Sequence, residues 1–311
     1  MIEFSPASVP TMYFIGVSTR QSSIMRVFPL WAEALGHAGT IIQGIDCPLH
    51  ADPEDYRAII RFIQSDPLSL GALITTHKID LFNACEDLFD EIDPYALQLR
   101  EVSGIYKSGD KLCACAKDPI SSGLALQAFV PHNFWPTHGG EVLLLGAGGS
   151  SLAMSLYLTN QGHEMDIPRI ITITNRSVGR LASAKAMLSN LNPNVEFRFV
   201  HCPTPADNDR LVNALPPYSL VVNATGLGKD APGSPITDSA IFPINSLVWE
   251  INYRGDLLFR TQANAQAISR QLHVEDGWIY FIHGWTQVIG EVLHVPMSKE
   301  TVLHLSKLAQ A

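Results

Sequence analysis

Cysteine, positive charge and long apolar runs are all scarce in this chain, and each scarcity removes a class of function. The five cysteines, at 47, 85, 113, 115 and 202, are an odd number too thinly spread for a disulfide scaffold, so reduced thiols are expected. Only Cys113 and Cys115 lie close together. They alternate with Leu112 and Ala114 as on a strand, which puts both on one packed face and argues against a redox pair. Lys and Arg number 21 against 30 Asp and Glu, and the net charge of −9 speaks against sequence-independent binding to nucleic acid. No apolar run approaches the roughly 18 residues of a membrane span. The start, Met1-Ile2-Glu3-Phe4-Ser5-Pro6, has neither the basic nor the apolar region of an export signal, so a cytoplasmic protein without a membrane partner is expected. None of the 11 histidines falls in an H-E-x-x-H or a Cys/His zinc spacing, and no metal site is expected. Repeats, low-complexity tracts and coiled-coil heptads are absent too.

What is present is 46% apolar residues in a chain of 311, enough for about two domains with cores of their own. Apolar runs alternate strand-like and helix-like: Met12 to Val17, Ile24 to Leu35, Thr40 to Ile45, Tyr56 to Ile63, Ala72 to Thr75 and Ile79 to Phe89. Such βαβ alternation implies an α/β domain with a mostly parallel sheet, whose ligands bind beyond the carboxyl ends of the strands. The stretch 131–140 carries two prolines and two glycines, which marks a domain boundary near 131. Directly after it an apolar run, Val142 to Leu145, breaks into Gly146-Ala147-Gly148-Gly149-Ser150-Ser151 and a helix-like stretch. Glycines there let the backbone turn sharply and approach a diphosphate, with the N–H groups of the next helix aimed at its charge. Ser151, at the sixth position of the G-x-G-x-x-G template, is a small departure.

A second strand, Ile171 to Thr174, ends in Asn175-Arg176-Ser177, with Arg180 one turn on. An acid after this strand binds a ribose 2′-hydroxyl, whereas arginine accommodates a 2′-phosphate, so NADP is favoured over NAD. Further strands, Leu220 to Val222 and Leu247 to Trp249, close in turn-like clusters at Asn223-Ala224-Thr225-Gly226 and Asn252-Tyr253-Arg254-Gly255. Gly226-Leu227-Gly228-Lys229 does not make an ATP loop: its first glycine is missing at 223, and Asp230 stands where a hydroxyl would hold magnesium. Helical stretches at about 278–293 and 298–310 end the chain.

In this order the motifs resemble those of the shikimate dehydrogenase family, over nearly the whole chain. Gly146-Ala147-Gly148-Gly149 is similar to the family's G-A-G-G loop, Asn175-Arg176-Ser177 to its N-R-T clamp, and Asn223-Ala224-Thr225-Gly226-Leu227-Gly228 to its N-A-T-P-L-G turn. Ile74-Thr75-Thr76-His77-Lys78 stands where the family has V-T-x-P-x-K, and Ala116-Lys117-Asp118-Pro119 where it has N-T-D-G. The resemblance implies two domains. One is a substrate domain over 1–130, completed by C-terminal helices from about 276 to 311; the other is a Rossmann-type NADP-binding domain over 131–275. It also implies Lys78 and Asp118 as the catalytic pair. Lys78 would exchange a proton with the substrate oxygen, and Asp118 would orient it and bind a neighbouring hydroxyl.

The implied reaction is reversible, NADP-dependent reduction of 3-dehydroshikimate to shikimate or of a closely related cyclic keto acid. Departures from the family concern the substrate. Its S-x-S-P-x-x-H segment is here Gln21-Ser22-Ser23-Ile24-Met25-Arg26; Ser22 and Ser23 are expected either to receive the substrate carboxylate or only to cap the next helix. The asparagine of A-V-N-T becomes Ser103, and the glutamine of M-L-V-x-Q becomes Gly284 beside Trp285, which leaves space against an aromatic wall. Tyr253 stands where the family places a tyrosine near nicotinamide and substrate. Alternatives are a paralogue acting on quinate, an aminoshikimate-type or another hydroxy acid, or a non-catalytic NADP-binding regulator. Periodicity leaves monomer and homodimer both open.

Overall fold

A computed structural model describes residues 4–160, 162, 166–229 and 231–310. Met1 to Glu3 of the start and Asp230 of the rejected nucleotide loop lie outside the described residues. The chain opens with β1 (Thr11–Gly16), α1 (Ile24–Ala34), β2 (Ile41–Asp46), α2 (Pro53–Ser65), β3 (Ser69–Ile74) and α3 (Lys78–Cys85), the alternation expected from the apolar runs. It continues through β4 (Glu91–Ile92), α4 (Pro94–Leu99) and a hairpin of β5 (Gly104–Ser108) and β6 (Lys111–Cys115). Next come α5 (Asp118–Gln127), α6 (Phe134–His138), β7 (Val142–Leu145), α7 (Gly149–Leu158), β8 (Ile170–Asn175), α8 (Val178–Leu188) and β9 (Glu196–His201). The rest is α9 (Pro205–Ala214), β10 (Leu220–Asn223), β11 (Leu247–Glu250), α10 (Leu258–Arg270), β12 (His273–Glu275), α11 (Trp278–Leu293) and α12 (Lys299–Gln310). No helix among the described residues is long and apolar enough to cross a membrane.

Two compact units result, Met1–Lys117 with Ile282–Ala311, and Asp118–Phe281. The proline- and glycine-rich stretch expected as the boundary forms α6 and its flanks inside the second unit. The division falls earlier because α5 packs on α7, where the Tyr157 ring occupies the space that a side chain at Gly123 would need. At the other end Trp278 and Phe281 stay with the second unit, the Phe281 ring 4.2 Å from that of Tyr253.

In the first unit the sheet order is β2-β1-β3-β5-β6-β4. β1 runs parallel to β2 and β3, and β4 to β6, while β5 is antiparallel to both its neighbours. Cys113 and Cys115 are buried together on β6, and all five cysteines are free and buried. In the second unit the order is β12-β11-β10-β7-β8-β9, parallel throughout. Numbered from β7, that is the 3-2-1-4-5-6 order of a Rossmann sheet, in which the strand sequence reverses between β7 and β10. Each residue of β7 has no exposed surface, as expected of a central strand covered by helices on both faces. Leu143 and Leu145 pack with Val221, Val248 and Phe259 in the core on one of those faces.

The last helix belongs to the first unit through a defined contact. Trp31 on α1 is fully buried, and its Nε1–H donates to the Leu305 carbonyl of α12 at 2.8 Å. Trp31→Phe keeps most of the packing but removes that donor, and is expected to lower unfolding free energy by about 1–2 kcal/mol in denaturant titrations.

Candidate active site

Where β7 ends, the chain turns at once. Gly146 has φ 113°, and a Cβ there would sit 2.7 Å from the Ala224 carbonyl oxygen at the end of the neighbouring β10. Glycine is the residue that takes both this dihedral and this separation. A Cβ at Gly148, by contrast, would meet no heavy atom within 4 Å. Helix α7 starts at Gly149 without a side-chain cap, which leaves its first-turn N–H groups to an external acceptor. The serine at the sixth template position has a use of its own: buried Ser151 donates from Oγ to the Gly146 carbonyl at 2.6 Å and fixes the turn.

β8 ends in a second turn. Asn175 Oδ1 accepts from the Ser177 N–H at 2.8 Å, and Ser177 Oγ accepts from the Arg180 N–H at 3.4 Å as α8 begins. These bonds seat the exposed Arg176 and Arg180 at the start of the helix. β9 is followed by a capped helix start, in which the Asp207 carboxylate accepts from the Thr204 N–H at 2.9 Å and from its hydroxyl at 2.7 Å.

The turn after β10 is held from below. Asn223 has no exposed surface, and its Oδ1 accepts from the N–H and the hydroxyl of Thr225 at 3.0 and 2.6 Å. Its Nδ2 donates to Glu250 Oε2 at 2.7 Å, while Glu250 Oε1 accepts from the N–H and Nδ2 of Asn252 at 2.9 and 2.6 Å. Asn252 Nδ2 also lies 3.2 Å from the Thr225 carbonyl. Burial pushes the Glu250 carboxyl up to about 7 against the pull of these donors.

Together the turns bound a cavity of about 800 Å³ at the carboxyl ends of the central strands. Of the expected cofactor residues, Gly146, Ala147, Gly148, Asn175, Arg176, Ser177, Arg180, Ala224, Thr225 and Gly226 line it. Gly149 is the first residue of α7, Ser150 Oγ accepts from the Tyr280 hydroxyl at 3.5 Å, and Asn223 acts from beneath. Among the described lining residues there is no carboxylate. Sequence reasoning missed Thr204, Asn208, Glu250 and Asn252. The T-x-x-D spacing from Thr204 to Asp207 was a readable helix-start signal; nothing local marks Glu250.

In the first unit Lys78, half-buried, is the first residue of α3, and its carbonyl accepts from the Val102 N–H at 3.1 Å. The five residues Ile74 to Lys78 contain no proline, and the bend is made by Thr76 at φ 53°, an uncommon conformation for a β-branched residue. Buried His77 follows, with Nδ1 2.9 Å from the Tyr56 hydroxyl; desolvation lowers its pKa and keeps the imidazole neutral at pH 7. Asp118, also half-buried, opens α5 in the second unit. Lys117 before it pairs with Glu291 of α11 at 2.5 Å.

The expected substrate residues are placed unequally. Ser23 precedes α1 but its side chain makes no cap bond, which corrects the capping expectation: the Ser22 and Ser23 carbonyls, not the hydroxyls, engage the first helical N–H groups. Arg26 reaches the Ala309 carbonyl at 3.5 Å. Ser103 is buried, its hydroxyl accepting from the Lys117 N–H at 2.7 Å and lying 3.4 Å from the Cys115 carbonyl. Trp285 is buried edge-on against Phe14 at 5.0 Å, while a Cβ at Gly284 would meet nothing within 4 Å. Tyr253 packs between Phe281 and Trp278, with the Arg254 guanidinium 5.9 Å from its ring.

No family model matches the chain. A shikimate dehydrogenase (NADP(+)) of Acidiphilium cryptum (strain JF-5) is 25% identical over 244 residues, 75% of this chain and 77% of that protein. The quinate dehydrogenase of Corynebacterium glutamicum, solved in complex with NAD, superposes with a TM-score of 0.71 at 18% identity, covering 96% of this chain and 98% of that one. Shikimate 5-dehydrogenase from Thermus thermophilus, solved in complex with NADP(H) and shikimate, gives 0.70 at 20% identity over 96% and 99%. In sequence the chain is thus similar to shikimate dehydrogenases, and it shares its two-unit fold with the solved shikimate and quinate dehydrogenases.

Proposed function

We propose that this protein is an NADP-dependent dehydrogenase acting on a CH–OH group, which reversibly reduces 3-dehydroshikimate to shikimate or a closely related cyclic keto acid. The observation that carries the reading is the cavity at the strand-order reversal, lined by two arginines and, among its described residues, by no carboxylate. Its donor set fits an NADP molecule: uncapped N–H groups of α7 for the diphosphate, and the Arg176 and Arg180 guanidiniums for a 2′-phosphate. When bound, the reduced nicotinamide supplies the hydride. Everything else falls to side chains of this protein.

Hydride arriving at a carbonyl carbon leaves negative charge on its oxygen, and a positioned proton donor lowers that barrier. The Lys78 ammonium gives its proton to this oxygen in reduction and recovers it in oxidation. Asp118 orients the ammonium and accepts a hydrogen bond from a neighbouring substrate hydroxyl. The Ser22 and Ser23 hydroxyls, unused in capping, receive the substrate carboxylate. The motifs around these residues and the relatives' printed activities support the assignment; the open space at Gly284 favours a substrate with a bulkier or differently placed substituent on that side.

Arg176→Ala is expected to weaken NADPH roughly 10- to 100-fold and NADH by less than about threefold in fluorescence titrations; equal losses would remove the 2′-phosphate assignment. Lys78→Ala is expected to lower kcat roughly 100- to 10,000-fold on the best of a panel of cyclic keto acids, at unchanged NADPH affinity. A wild-type protein that binds NADPH yet turns over none of the panel would instead be a nicotinamide-binding regulator.

A further inference from the structure

We propose that Glu250, in its ionised form, is a positioning residue that holds the 223–227 turn in the shape that receives the dinucleotide, so that cofactor affinity follows the protonation of this one buried carboxyl. The inference rests on reading the cavity as an NADP site.

Glu250 closes β11 and has no exposed surface. Three N–H donors converge on its oxygens, Asn223 Nδ2 on one and the N–H and Nδ2 of Asn252 on the other. A carboxylate satisfies all three. A neutral carboxyl gives up the charge that strengthens all three bonds, and its hydroxyl oxygen accepts less well than a carboxylate oxygen, so the hold on the asparagines loosens. Asn223 has no alternative orientation, because its Oδ1 is occupied by both donors of Thr225, whereas an amide flip would present Nδ2 to them. Both asparagines therefore relay the state of Glu250 to Thr225, which lines the cavity.

Few charges oppose a change of state. The facing cation is Arg260 of α10, itself 3.3 Å from Asp276 after β12. Desolvation outweighs the donors, and the carboxyl titrates at about 7 instead of 4.5. Because the folded value is the higher one, the group's contribution to stability is full below 4.5 and disappears as pH rises through about 7. Cofactor affinity, which needs the ion, changes in the opposite direction over the same window.

The test compares wild type, Glu250→Gln and Glu250→Asp, by NADPH titration between about pH 5.5 and 8.5 and by thermal unfolding without cofactor. The ratio of the glutamine variant's Kd to that of wild type is expected to be roughly tenfold at the alkaline end and near one at the acid end. The 2′-phosphate's own titration cancels in that ratio. Over the same interval the stability of wild type relative to this variant declines, and Glu250→Asp restores part of the pH dependence of binding. In wild type alone, saturating NADPH should move the infrared titration midpoint of the buried carboxyl down by about one pH unit, the reciprocal of a tenfold preference. That measurement stands even where the glutamine variant does not fold. A pH-independent ratio, or a midpoint unmoved by NADPH, overturns the positioning role and leaves the NADP site intact. No NADPH binding by wild type at any pH overturns both.

Discussion

The closeness of two backbone turns governs the second unit. β7 and β10 are hydrogen-bonded neighbours, so the segments that leave their carboxyl ends must share one small space, and at Gly146 and Ala224 they approach within a distance that no side chain survives. A residue with a Cβ would force the two turns apart and open the floor of the cavity. The hydroxyl of Ser151 secures the same turn from the helix side. One glycine and one serine thus set where the uncapped N–H groups of α7 can lie, before any charged residue is considered.

Charge is then distributed by solvent access. Arg176 and Arg180 stand exposed, where a guanidinium keeps its charge without penalty and a phosphate can displace its water. Glu250, of opposite sign, is buried beneath the floor and survives there only because three N–H groups meet it. A carboxylate at the rim would repel an anion; Glu250 is instead buried and bonded to Asn223 and Asn252.

Much of this was legible in the sequence. The β7 turn, the Arg176 cluster and the Asn223 turn are contiguous motifs, each readable within a few residues of sequence, and periodicity placed the strands that carry them. Glu250 was not legible, because its importance comes from pairing with Asn223, 27 residues away, across adjacent strands. Ser103 illustrates a different limit. Its position fits a ligand contact, yet the β6 edge takes up its hydroxyl, a demand that only the register of β5 against β6 reveals. The unit boundary escaped for a similar reason: composition marked the break at 131–140, but α5 is claimed by its packing on α7.

The division of the chain has a consequence for biosynthesis. The second unit is one uninterrupted stretch, Asp118–Phe281, whereas the first needs Ile282–Ala311, with α12 docked on Trp31. During translation residues 118–281 are therefore complete while the first unit still waits for residues 282–311 to be made, so the usual vectorial order of assembly is reversed. Until then the nascent amino-terminal sheet lacks the helices that cover Phe14 and Trp31, so apolar surface of the first unit stays open for that interval.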